Sequence, residues 1–145
     1  MIDLLNQQLV DALDLGLQAK QAHWNVKGPH FIGLQELFGK VTEDLGEFID
    51  NIAERAVQLG GIALGTIHVV SKHSRLSAYP LDVLSGKGHV AKLAASLTDF
   101  AATTGAAIDT AGKSGDANTA DLFTEISRGV DKLLWMVDAH LQSKE

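Results

Sequence analysis

LQAKQAHWNVKGPHFIGLQELFGKV, residues 17–41, decides the fold. Apolar residues recur at helical spacing through Leu17 and on to about Val26, stop at Gly28-Pro29, and resume at Leu34, Leu37, Phe38 and Val41. Pro29 disfavours the α conformation at the residue before it, so the chain must break there. Upstream, Leu4, Leu5, Leu9, Ala12 and Leu13 extend the first helix to the start of the chain. Downstream, Leu45, Phe48, Ile49, Ile52, Ala53, Ala56 and Leu59 extend the second, and Gly60-Gly61 ends it as a C-terminal cap. Two long helices joined by so short a turn pack as an antiparallel hairpin.

From Gly61 to about Gly88 the pattern changes to a long connection, with a short helical turn expected at Leu81 to Leu84. His89, Val90, Leu93, Leu97, Phe100 and Ile108 then mark a third helix. After the turn GKSGDANT, Ala120 through Leu141 forms a fourth. The economical arrangement is all-α: one domain over residues 1–145, a four-helix bundle whose long crossover between helices two and three contains a short helix. That topology is ferritin-like.

Composition narrows the chemistry. The chain has no cysteine, which excludes disulfides, thiolate metal sites and cysteine nucleophiles. No apolar run reaches the ~18 residues of a membrane span and the start lacks a basic signal, so a cytoplasmic location is expected. The net charge of −6, with Lys20 the first basic residue, argues against a surface built to neutralise phosphates.

Metal ligands are the remaining class to weigh. Asp50 and Glu54 are four apart on one face of helix two, with Glu47 a turn earlier. Spacing alone favours a solvated acidic face over a cation site; Phe48, Ile49, Ile52 and Ala53, which interleave with these acids, weaken that reading, and Arg55 could balance their charge. His23 lies about six residues before the turn and Asp50 about twenty after it, a difference of roughly 20 Å in height. They cannot share a metal within one subunit, whereas Gln35 stands level with His23. A two-fold partner running antiparallel would bring its own Asp50 and Glu54 level with His23.

KQAHWNVKGPHFIGLQELF, DNIAERAVQLGG, ALGT, SAYPLD, TAD and DKLLWM together closely resemble the Dps family, the bacterial mini-ferritins, over Leu4 to Met136. The resemblance implies a hollow shell of twelve subunits. Such a shell oxidises ferrous iron, by preference with hydrogen peroxide, stores ferric mineral, and so protects against oxidative stress. It implies a ferroxidase site at the two-fold interface, to which His23 comes from one chain and Asp50 and Glu54 from the partner. The family's second histidine falls on Gln35, a neutral amide and a poorer iron ligand than imidazole. His30, in the turn, is the other imidazole nearby. Slower oxidation at a weakened site, or a passive metal-binding or DNA-shielding cage, are the two readings this departure leaves.

Around the site, Trp24 is read either as core or interface packing or, by resemblance, as a group that intercepts radicals. Lys20 either pairs with a nearby acid or snorkels. By resemblance Asp116, Asp121 and Glu125 are candidates for an acidic entry pore, while capping of helix four accounts for such acids equally well. The family's DNA binding rests on a basic tail. None is visible in MIDLLNQQLV or QSKE, so DNA binding is expected to be weak or absent. His68, His73, His89 and His140 read as surface or interface residues, and Arg128, Asp131, Lys132 and Asp138 as a salt-bridged face or a subunit contact.

Overall fold

In the computed structural model, which describes residues 1–142, the chain forms five α-helices: α1 (Ile2–Asn25), α2 (Phe31–Gln58), α3 (Ile67–His73), α4 (Gly86–Lys113) and α5 (Ala117–Asp138). A single 3-10 turn, Ala139–Leu141, follows. The QSKE segment falls largely on residues 143–145, outside the described residues. No helix among the described residues is long and apolar enough to cross a membrane.

The break read at Gly28-Pro29 is where α1 ends, and Gly28 has φ +121°, a conformation that favours glycine. Its neighbour Lys27 fixes the topology. Lys27 N–H donates to the Leu84 carbonyl (3.0 Å) and Gly86 N–H donates to the Lys27 carbonyl (3.2 Å). The start of α4 is therefore tied to the α1–α2 turn, and the crossover must span the whole bundle to reach it. Helices α1, α2, α4 and α5 close around one core, to which Leu9, Leu15, Phe38, Leu45, Ile52, Phe100, Phe123 and Ile126 contribute fully buried side chains. Burial of such side chains, at about 1.5–3 kcal/mol each, holds the bundle together.

The short helix lies elsewhere than the sequence suggested. It covers Ile67–His73, while Leu81 and Asp82 form only a turn before the extended approach to Ser85. Ile67 and Val70 are one turn apart, and Val70 is buried where α3 packs on α1. A seam of buried polar residues on α1 then fixes the rest of the crossover. Asp11, 1% exposed, accepts from the Arg75 backbone N–H (2.9 Å) and from its Nε (2.8 Å). Gln18 donates to the Ser77 carbonyl (3.1 Å) and accepts from Ser96 Oγ (2.7 Å). Pairing of this kind offsets the desolvation of each polar group.

His89 is a correction to the surface reading of the histidines. It is 1% exposed, stacked on Tyr79, and hydrogen-bonded to the Tyr79 hydroxyl through Nδ1, while Nε2 is buried with no hydrogen-bond partner. Burial lowers its pKa, partly opposed by the Val83 carbonyl alongside, and pushes Tyr79 up to about 12. The proposed salt-bridged face on α5 is also corrected. Among the described residues Arg128, Asp131, Lys132 and Asp138 form no ion pair with one another, which leaves the subunit-contact reading of that face.

Candidate metal centre

His23 occupies the last turn of α1, and its half-buried ring crosses to α2. Its Nδ1 lies 2.7 Å from the backbone carbonyl oxygen of Gln35, so the two positions judged level by residue count are in contact. A carbonyl only accepts, so Nδ1 carries a proton, and in the neutral imidazole Nε2 is then the nitrogen with the lone pair. This is the arrangement in which an imidazole serves as a metal ligand. His30 stands apart from it, in a 240 Å3 cavity it lines with Lys87 and His140.

Trp24, next in sequence, is 64% exposed, so core packing does not account for it. The Lys20 ammonium lies 5.8 Å from the centre of its ring, a cation–π contact within α1. Leu17, seven residues earlier on the same face, is 58% exposed, and together they form an apolar patch beside His23.

Glu47, Asp50 and Glu54 lie along the exposed side of α2. Arg55 does not balance them. Its guanidinium turns to α5, donating to Thr119 Oγ1 (2.9 Å) and Asp116 Oδ1 (3.1 Å), and to Gln58 (3.3 Å). Counted from Gln35 along α2, Asp50 stands roughly 22 Å from the level of His23, at 1.5 Å per residue. Among the described residues no three His, Asp or Glu side chains gather where one ion could be held. One chain therefore carries, at two heights, an imidazole on α1 and a pair of exposed carboxylates on α2.

The pore candidates separate. Asp116 is the N-cap of α5: it accepts from Thr119 N–H (3.0 Å) and Thr119 Oγ1 (2.6 Å) and is paired with Arg55. The Thr119 hydrogen bonds, with Arg55 in support, hold its carboxyl below the usual range. Asp121 and Glu125 instead line a 350 Å3 cleft together with Glu54, Asn51 and Asn118. That neighbourhood was not visible in the sequence, because it is created by α2 and α5 running antiparallel, the relation the Arg55–Asp116 pair marks.

Known proteins share this architecture. Residues 2–145 match the family described as "Ferritin-like domain". The chain is 44% identical to the DNA protection during starvation protein of Agrobacterium fabrum, over 99% of this chain and 89% of that one. Among solved structures, Dps from Staphylococcus aureus superposes with a TM-score of 0.92 at 29% identity, covering 99% of this chain and 95% of that one. Dps from Microbacterium arborescens in its high iron form gives 0.91 at 29%, covering 97% and 91%.

Proposed function

The chain belongs to the Dps family of ferritin-like proteins, and on that footing we propose that it is a ferroxidase cage that oxidises ferrous iron with hydrogen peroxide and stores the ferric product. Binding and storage of iron with a protective role go with the family, and the iron-loaded relative from Microbacterium arborescens supports iron as the substrate here.

The observation that carries the reading is the pair of half-sites. His23 presents Nε2, and Asp50 and Glu54 lie exposed further along α2, roughly 22 Å and roughly 28 Å from its level. In a two-fold dimer the Asp50 and Glu54 of one subunit meet His23 of the other. The apolar residues exposed at the two levels, Leu17 and Trp24 at one and Val57 and Leu59 at the other, are the surfaces such a dimer would bury. Repetition of this dimer in a dodecamer supplies the storage cavity. Carboxylate and imidazole suit ferrous iron, and the anionic oxygens favour the more highly charged ferric product. Each of two ferrous ions gives one electron to peroxide. The O–O bond breaks, and both oxygens leave at the oxidation level of water, which avoids hydroxyl radical.

Asp121 and Glu125 act as the cation entrance, since they share their cleft with Glu54. Asp116 acts as cap and clamp. Trp24, held under Lys20 beside His23, is placed to take up a stray oxidising equivalent, and Glu47 adds negative charge near the acids. Location is cytoplasmic, and DNA binding is weak for a chain of net charge −6.

Gln35 supports a second reading, a cage that binds metal but oxidises it slowly. One experiment separates the two. Ferrous ions are added anaerobically, then peroxide, and ferric absorbance is followed in the parent, in Asp50→Ala/Glu54→Ala and in Gln35→His. Fast oxidation in the parent, background rates in the double variant and tighter iron binding in Gln35→His are expected. Equal rates in parent and double variant would establish the passive cage instead.

A further inference from the structure

The ring of His23 lies against Gly39. A Cβ built at position 39 would sit 3.3 Å from both Nδ1 and Cε1 of that ring, tighter than ordinary van der Waals contact. Gly39 is inside the 28-residue helix α2, and it is not among the glycines with positive φ, so its backbone conformation does not call for glycine. Glycine within a helix costs stability relative to alanine. Gly33 and Gly46, on the same helix, have open space where a Cβ would go. Space for the imidazole is the distinguishing feature of position 39.

The same contact explains which atom His23 can reach. Gly39 follows Gln35 by one helical turn, and helical side chains lean back over the turn that precedes them. A bulky residue at 39 would therefore cover the Gln35 carbonyl, the acceptor 2.7 Å from Nδ1. We propose that Gly39 is a positioning residue: it keeps the Gln35 carbonyl open to His23, and so fixes the Nδ1–H tautomer that leaves Nε2 available to ferrous iron. This rests on the reading of His23 as an iron ligand. It assigns the tautomer to the backbone at 35 and the space at 39, not to the Gln35 side chain.

Alanine at 39 shifts the ring by a few tenths of an ångström, which the short hydrogen bond absorbs. Valine does not leave the ring its place, and as a helix former it is no worse than glycine, so α2 persists.

The test reads the tautomer without iron. Solid-state 15N NMR of the iron-free protein, labelled at the histidine ring nitrogens and held at pH 8, is assigned for His23 by difference from His23→Asn. The parent, Gln35→Ala and Gly39→Ala should show His23 protonated at Nδ1. Gly39→Val should lose that form as the dominant one and bind ferrous iron, titrated anaerobically, about 10–100-fold more weakly. Gly39→Leu, a better helix former that leans over the same turn, takes its place if the valine variant does not fold. An Nε2–H tautomer in the parent, an unchanged Nδ1–H in Gly39→Val or Gly39→Leu, or a change in Gln35→Ala would overturn the assignment. The tautomer does not depend on oxidation. Slow oxidation with the Nδ1–H form intact would count against the ferroxidase and leave the role of Gly39 standing, whereas a lost ferrous response with no tautomer change would do the reverse.

Discussion

Arg75→Met removes the charged partner of a carboxylate that water hardly reaches. Asp11 is 1% exposed, and the guanidinium meets it through Nε (2.8 Å) and Nη2 (2.7 Å). Breaking a fully buried pair costs about 3–5 kcal/mol, because the remaining charge is stranded. Two features of this site lower that figure. The Arg75 side chain is 46% exposed, and Asp11 keeps the Arg75 backbone N–H (2.9 Å) and the Gln7 amide (3.3 Å). The expected loss is then about 2–3 kcal/mol, of which the Nη2 bond to Gln8 (2.7 Å) supplies part. Methionine retains the apolar stem, so packing changes little. Urea unfolding should show a lower midpoint with the same slope, and hydrogen exchange should quicken through the crossover. Adding Asp11→Asn in the Arg75→Met background should recover at least about 1 kcal/mol, since the stranded charge is gone. A loss below about 0.5 kcal/mol in Arg75→Met, or no recovery in the double variant, would mean that the guanidinium does not neutralise Asp11 and that another contact fixes the crossover.

Two further outcomes follow from packing and titration. His89 is depressed in the folded state, so the unfolded chain takes up its proton first. The stability it contributes is complete above the ordinary histidine value near 6.5 and is lost as pH falls from there through the folded value, at up to about 1.4 kcal/mol per pH unit. Urea midpoints between pH 7 and 5 should fall more steeply for the parent than for His89→Phe, and equal slopes would count against a buried, neutral imidazole. Gly129→Ala should cost about 1–3 kcal/mol in the same assay, because its Cβ would overlap the ring of Phe48. Phe48→Leu in that background should return most of the loss, and a neutral Gly129→Ala would show that the ring has room to turn.

Period and punctuation in the sequence were enough for the bundle. Apolar residues 3.6 apart can bury only on one face, and Gly28-Pro29 and Gly60-Gly61 leave the chain no choice about where two of the helices end. The same signals placed the short helix at Leu81–Leu84 rather than Ile67–His73. A segment of seven residues is too short for its own spacing to outweigh tertiary contacts, here Val70 against α1 and Arg75 on Asp11. Polar residues such as Asp11, Gln8 and Gln18 read as helix surface in a linear sequence, and only the packed crossover shows that they are buried.

At the candidate centre, counting residues along two helices was sufficient to set His23 level with Gln35 and apart from Asp50, because helical rise is fixed by backbone geometry. Resemblance, not spacing, singled out these residues as iron ligands. Tertiary structure alone decided the rest: that His23 meets the backbone of Gln35 across Gly39, that Lys20 covers Trp24, that Asp116 caps α5 and clamps Arg55, and that Glu54 shares a cleft with Asp121 and Glu125. Each of these joins different helices, main chain or an aromatic face. A sequence records which side chain stands at each position, while a contact of this kind depends on which atoms the packed helices bring within reach.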